Sequence, residues 1–159
     1  MFCRARQGMT VDTILLDCNV LTYKRIRFIK YLQKELHMQK IKVLLVDDEE
    51  EFINTLSERI MMRGFKSDVA LNGEEALKIL DKYIPDVMVV DLKMPGIGGM
   101  DFLRRVKETN PEIQVIMLTG HGSKGDEAEA RRFGVSDYLQ KPVAIDMLIQ
   151  SINCVCRNK

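Results

Sequence analysis

The chain has 159 residues, 46% hydrophobic and 30% charged, with a formal net charge of +1. That is enough chain to bury one core, so the expected organisation is a single domain with an appendage. A charge this near zero excludes a global field drawing the protein to nucleic acid or membrane, and the longest apolar runs are strand-sized, too short to span a bilayer.

The charge is unevenly spread, +5 over residues 1–40 and −4 over the rest. Residues 1–37 read as an N-terminal extension. Within it, Ile26, Ile29, Leu32 or Gln33, and Leu36 fall near helical spacing among basic residues. Such a segment suits an acidic partner or a membrane surface; the alternative, which we prefer, is that it adds nothing to the fold. The compositional break also fits a natural start at Met38. Cys3, Cys18, Cys154 and Cys156 lack the spacing of a disulfide framework or a four-ligand zinc site and read as free thiols of a reducing compartment. The apolar stretch 10–21 is interrupted by Asp12, Asp17 and Asn19 and makes a poor secretory signal. A cytoplasmic protein is expected.

From residue 41 apolar runs alternate with amphipathic segments, the signature of βαβ units and a parallel sheet. The first strand is predicted over 41–46, ending in Asp47-Asp48. A helix follows over 49–62, acids first, as suits the positive end of a helix. Phe52, Leu56 and Ile60 supply its buried face, and Gly64 closes it. A weaker edge strand over 66–71 leads to Asn72, a good N-cap for a helix over 73–82.

Residues 86–91 form the third strand, a continuous apolar run ending in Asp91 and broken by Met94-Pro95-Gly96. The next helix runs from Gly98-Gly99 to Thr109, burying Leu103 and Val106. The fourth strand, over 113–118, ends in Thr119-Gly120. A helix over 123–133 offers only Ala128, Ala130 and Phe133 to the core. The fifth strand, over 136–140, ends in Lys141-Pro142. The last helix, over 144–156, carries Ile145, Leu148, Ile149, Ile152 and Val155 and is expected to be the best buried. The ten methionines are expected mostly to fill the core.

In a parallel sheet all these strand ends share one edge, where open α/β sheets bind ligands. Asp47, Asp48, Asp91, Thr119 and Lys141 therefore converge. Three neighbouring carboxylates resist joint ionisation unless a cation joins them, and oxygen-only ligands suit Mg²⁺. With Lys141 as counter-charge and Thr119 as hydroxyl donor, the set supports phosphoryl transfer with a carboxylate nucleophile. Each residue has a plainer reading: Asp47 and Asp48 as helix caps, Asp91 as a turn former, Thr119 as an ST-turn, Tyr138 as a core aromatic, Lys141 as a solvated strand end. Their arrangement together favours the site.

Leu45-Val46-Asp47-Asp48, Val90-Asp91-Leu92-Lys93-Met94-Pro95-Gly96, Leu118-Thr119-Gly120 and Asp137-Tyr138-Leu139-Gln140-Lys141-Pro142, in this order, resemble the receiver domain of two-component response regulators. The resemblance covers about three-quarters of the chain. It implies a flavodoxin-like (βα)5 doubly wound fold with strand order 2-1-3-4-5, a receiver domain over 38–159. It implies Asp91 as phosphoacceptor, taking a phosphoryl group from a sensor histidine kinase or a phosphotransfer protein. Asp48, Asp91 and the Lys93 backbone carbonyl would ligate Mg²⁺, with Asp47 acting through a bound water. Lys141, before a cis proline, would pair with the phosphoryl group. Thr119 would move to it and Tyr138 would swing inward, remodelling the face made by the fourth helix, fifth strand and fifth helix. By the same resemblance, Lys93 and His121 would occupy positions that tune the lifetime of the phosphorylated state.

The resulting expectation is a stand-alone switch rather than a turnover enzyme, signalling to a protein target through that face, with phosphorylation-dependent homodimerisation and no direct nucleic-acid contact. Two alternatives stand beside it. A dehalogenase-type aspartyl-phosphate phosphatase needs a second acid where Lys93 stands. A pseudo-receiver scaffold would not need Asp91, Thr119 and Lys141.

Overall fold

A computed structural model describes residues 40–157. The readings made on residues 1–37, including Cys3, Cys18 and the amphipathic segment, and the start at Met38, lie outside the described residues.

Strands and helices alternate: β1 (Lys42–Val46), α1 (Glu50–Met61), β2 (Lys66–Ala70), α2 (Gly73–Leu80), β3 (Val87–Val90), α3 (Gly99–Thr109), β4 (Gln114–Thr119), α4 (Lys124–Arg132), β5 (Asp137–Gln140) and α5 (Ile145–Arg157). All strands are parallel, in the order β2-β1-β3-β4-β5. This is the doubly wound α/β architecture expected from the sequence, with boundaries shifted by one or two residues. Strand alternation divides the core in two. Leu44, Val46, Met88, Val90, Val115 and Met117 pack under α2, α3 and α4, whereas Val43, Leu45, Val87, Val89, Ile116 and Leu118 pack under α1 and α5. The three central strands are buried on both faces and read as unbroken apolar runs for that reason.

Local chemistry sets the helix ends. The Asn72 side chain accepts from the Glu75 N–H at 2.8 Å and starts α2. Ser123 and Asp126 exchange hydrogen bonds of 3.1 and 2.7 Å in a capping box at the start of α4. Gly64 and Gly134 follow α1 and α4 with φ of +90° and +84°, backbone that a side chain rarely tolerates.

Several sequence expectations need correction. In α1 the buried face is Ile53, Leu56, Ser57 and Ile60. Phe52 is half-buried, rotated by one position towards the strand ends. In α3, Phe102 joins Leu103 and Val106 as a fully buried residue. In α4 Ala128 is exposed and Ala130 is the one buried residue, so the anchor is thinner than the pattern suggested. α5 buries Leu148, Ser151, Ile152 and Val155, no more residues than α1 or α3, because Ile145 and Ile149 of the expected face are only half-buried. Of the described methionines, Met88, Met94 and Met117 are buried, while Met61, Met62 and Met147 are exposed. Helical spacing locates a stripe but not which of two adjacent apolar residues lies at its centre.

The loop after β3 packs closely on its own backbone. The Gly99 N–H donates to the Leu92 carbonyl at 2.9 Å. A Cβ on Gly99 would stand 2.1 Å from the Asp91 carbonyl oxygen and 2.8 Å from the Leu92 Cα. Away from this loop, the Tyr83 hydroxyl donates to Asp68 at 2.5 Å, and the Lys42 ammonium lies 5.6 Å from the Tyr83 ring. Burial, followed by the hydrogen bond and charge of Asp68, holds the Tyr83 phenol above its ordinary ionisation range.

Two stability predictions follow from this packing. Gly99→Ala forces backbone apart and lowers the unfolding free energy by about 1–3 kcal/mol or more in urea denaturation. Gly98→Ser, where a Cβ meets nothing within 4 Å, costs nothing measurable, since serine is a good N-cap. In alkali, the unfolded chain loses the Tyr83 proton first, so stability falls as pH rises above the ordinary tyrosine value of about 10. Tyr83→Phe removes that part of the alkaline slope in denaturation curves taken at increasing pH.

Candidate functional site

The register builds the site. Val46 lies opposite Val90, so Asp47 and Asp91 follow at one level on neighbouring strands. The Asp91 N–H donates to the Val46 carbonyl at 2.9 Å, and the Lys141 N–H to the Thr119 carbonyl at 2.9 Å. These bonds extend the ladders by one residue and carry the acids and the lysine onto the same edge. The chain reverses its winding between β1 and β3, which places the pair of acids at the topological switch point.

Asp47 and Asp91 are 5% and 7% exposed, and their oxygens are engaged. Asp47 Oδ1 accepts from the Glu49 N–H at 2.9 Å, and Asp91 Oδ2 from the Lys93 N–H at 2.9 Å. The Lys141 ammonium sits 2.6 Å from Asp47 Oδ2 and 3.7 Å from Asp91 Oδ1. The Lys141-Pro142 peptide is cis, as expected. Burial pushes the Asp47 carboxyl up, with the Lys141 hydrogen bond and charge pulling against it. For Lys141 burial acts downwards, but the Asp47 hydrogen bond and the charges of Asp47 and Asp91 outweigh it and hold the ammonium above its ordinary value. A small cavity of about 10 Å³, lined by Asp47, Asp91, Phe52 and the apolar residues beneath them, lies under the pair.

The structure thus brings together three of the residues singled out in the sequence: Asp47, Asp91 and Lys141. Asp48 follows on the same edge, exposed to solvent. Lys93 is exposed, and the backbone group it presents to Asp91 here is its N–H. Thr119 is 1% exposed at the end of β4, and its Oγ1 accepts from the His121 N–H at 3.2 Å. His121 itself is exposed. Gly120 has room: a Cβ there meets only the Lys141 Cβ, at 3.8 Å.

Tyr138 is already inside. It is 8% exposed, and its hydroxyl is buried without a hydrogen-bond partner. Burial, then the charges of Asp126, Glu127 and Asp91, raises the phenol's ionisation range. The ring lies where a Gly122 side chain would be: a Cβ on Gly122 would stand 3.0 Å from Tyr138 Cζ and 2.9 Å from Thr119 Cγ2, and would overlap the hydroxyl.

Three participants were not legible in the sequence. The Glu49 carboxylate lies 3.3 Å from the Lys141 ammonium, and the Phe52 ring centroid lies 4.3 Å from it. Glu49 carries the same signal as any acid at a helix start, and Phe52 that of any core aromatic. Gly122 sits in a glycine-rich turn whose need for glycine depends on a side chain from another strand.

Among the described residues, no three His, Cys, Asp or Glu side chains are gathered closely enough to hold a metal by themselves. The donor set nevertheless fits a hard divalent cation. Asp47, Asp48 and Asp91 offer only oxygen beside solvent, and Mg²⁺ binds through one or two carboxylates while keeping several waters. In this arrangement the Lys141 ammonium supplies the positive charge that Asp47 needs.

Comparison with known proteins identifies the family. The family model "Response regulator receiver domain" matches residues 43–153. The Escherichia coli K12 transcriptional regulatory protein CpxR is 40% identical over 116 residues, 73% of this chain and 49% of that protein. The chain spans about half the length of the first curated relatives it matches. A response regulator receiver domain from Clostridium thermocellum has a TM-score of 0.70 at 34% identity, covering 74% of this chain and 94% of that one. A Burkholderia pseudomallei response regulator, solved with a phosphorylated aspartic acid, a calcium ion and citrate, has a TM-score of 0.67 at 26% identity, covering 74% and 69%. Among the described residues no helix is long and apolar enough to cross a membrane. Sequence, strand order and the acid–lysine edge agree, and the chain belongs to the response regulator receiver domain family of two-component systems.

Proposed function

We propose that Asp91 accepts a phosphoryl group from a sensor histidine kinase or a phosphotransfer protein, and that the protein signals through the contacts this changes. The observation that supports this most directly is the Lys141 ammonium between Asp47 and Asp91, 2.6 and 3.7 Å from their oxygens, on the edge of the sheet. A buried carboxylate beside a fixed cation is a nucleophile whose product charge is already provided for.

In this reading an Asp91 oxygen attacks phosphorus and the bond from phosphorus to the donor's imidazole nitrogen breaks. The ring nitrogen keeps the electron pair and takes up a proton from solvent, and Asp91 becomes an acyl phosphate. Asp47, Asp48, Asp91 and the Lys93 carbonyl would hold Mg²⁺, which when bound neutralises charge on the phosphoryl oxygens. The Lys93 N–H fixes the Asp91 carboxylate from one side. Lys141 leaves Asp47 for the new phosphoryl group, and the Thr119 hydroxyl leaves the His121 N–H to donate to it.

The output we assign is a protein contact on the face of α4, β5 and α5, with homodimerisation on phosphorylation as one form of it, in the cytoplasm. α4 has one buried residue, so moving it disrupts little packing. The CpxR relative is a transcriptional regulatory protein about twice as long as the matched region; direct nucleic-acid contact is not assigned to these residues. The protein acts as a switch and not as a turnover enzyme, because the only electrophile the site handles stays on its own Asp91.

Acetyl phosphate with Mg²⁺ should add one phosphoryl group by intact mass. Asp91→Asn should abolish the gain, and Lys141→Ala should slow it by more than about tenfold. Steady release of phosphate from an external substrate by the Asp91→Asn variant would remove this reading. Gly122→Ala should expel the Tyr138 ring, seen as a solvent-accessible tyrosine resonance, because the ring and the new methyl group claim the same space. The cost in stability should be small, about 1 kcal/mol, since lost apolar burial is offset by release of an unpaired buried hydroxyl. A Tyr138 resonance that stays protected would contradict the steric assignment.

A further inference from the structure

We infer that Glu49 and Phe52 form a resting seat for Lys141, and that the strength of this seat sets how readily the site takes up a divalent cation and a phosphoryl group. The inference rests on the phosphoacceptor reading given above and concerns its regulation.

The Lys141 ammonium has four close neighbours. Asp47 Oδ2 is at 2.6 Å, Glu49 Oε1 at 3.3 Å, Asp91 Oδ1 at 3.7 Å and the Phe52 ring centroid at 4.3 Å. Three of the four come from β1 and the start of α1, so the ammonium is displaced towards Asp47 and away from the acid that reacts. A cation this close to an aromatic face is attracted by the ring quadrupole, the more so where water is partly excluded. The Lys141 side chain is 15% exposed and Asp47 7%, whereas Glu49 is 68% exposed. Phe52 therefore contributes more than Glu49, whose charge is screened.

The seat has a chemical consequence. While Lys141 neutralises Asp47, a divalent cation competes with the ammonium for that carboxylate. When Lys141 moves to a phosphoryl oxygen it loses Glu49 and Phe52 as well as Asp47. Both steps are opposed by the same contacts. Glu49 and Phe52 are positioning residues: their side chains act through Lys141, while the Glu49 backbone N–H also holds Asp47.

The position of Phe52 follows from the packing of α1. The α1 stripe is centred on Ile53, Leu56 and Ile60, so Phe52 lies half-buried at the edge of the core, against which it packs, with its ring beside the Lys141 ammonium. An aromatic ring adds the capacity to hold a cation.

The test uses the whole chain. In the wild type, NMR should show the Lys141 Hε protons, assigned by comparison with Lys141→Arg, shifted upfield by the Phe52 ring. Phe52→Leu should abolish that shift and Phe52→Tyr should retain it. Titration with Mg²⁺ alone should give a dissociation constant about two- to tenfold lower in Phe52→Leu than in wild type, a smaller decrease in Glu49→Gln, and no change in Phe52→Tyr. The rate of labelling by acetyl phosphate should rise in the same order. If Phe52→Leu melts cooperatively yet leaves both the Lys141 shift and the Mg²⁺ constant unchanged, Phe52 is packing only and the inference is overturned. If the shift and the Mg²⁺ constant respond as stated but Asp91 takes no phosphoryl group in the wild type, the seat stands and the phosphoacceptor reading falls.

Discussion

Everything at the site depends on the desolvation of two carboxylates. Asp47 and Asp91 close apolar strands of a sheet covered on both faces, and each is less than a tenth exposed. A carboxylate so placed is strongly destabilised unless it is paired and hydrogen-bonded. The fold supplies backbone N–H groups from Glu49 and Lys93 and one ammonium, from Lys141. The remaining loops fit around this requirement. The bond from the Lys141 N–H to the Thr119 carbonyl brings Lys141 onto the edge, Gly99 lets the turn after β3 lie against the Asp91 backbone, and the short β1–α1 connection delivers Glu49 and Phe52 beside the lysine. One ammonium shared between two acids balances the charge of this edge.

The same accounting separates the stable from the mobile parts of the molecule. β1, β3 and β4 contribute residues that are almost wholly excluded from water, and α3 seals them with Phe102, Leu103 and Val106. α4 lies over the same face with Ala130 and the half-buried Phe133. Its capping box and the Glu127–Arg131 ion pair favour the helix, but few apolar side chains anchor it. The Thr119 side chain and the buried Tyr138 ring both meet the Gly122 turn that leads into it. A Tyr138 hydroxyl without a partner means that the buried position carries an internal penalty, which offsets part of what burial of the ring contributes.

Much of this was legible in the amino-acid sequence because it depends on local pattern. Apolar runs in β1, β3 and β4, the Asn72 cap and the glycine at 64 each follow from a rule that acts over a few residues. Asp47, Asp91 and Lys141 could be placed on one edge because parallel strands point their ends the same way. What escaped was decided across the fold. Phe52 was assigned to the core because it and Ile53 both fit a helical stripe, and only packing against β1 chooses between them. Ala128 was assigned to the core because alanine does not distinguish a buried position from an exposed one. Gly122 carried no signal, since the atom that requires it to be glycine belongs to Tyr138 on another strand.

The strand order has a consequence in time. Lys141 follows β5 at one edge of the sheet and Asp47 follows β1, with β3 and β4 lying between them. Asp91 precedes Lys141 by 50 residues along the chain, so a growing polypeptide displays its acids well before it owns their counter-ion. Until β5 pairs with β4, Asp47 and Asp91 share an edge with no ammonium to offset their charges, and that edge has every reason to stay open to water. The ion pair therefore doubles as a seal on the finished sheet: a chain truncated or stalled before β5 keeps both acids but lacks the ammonium that lies between them.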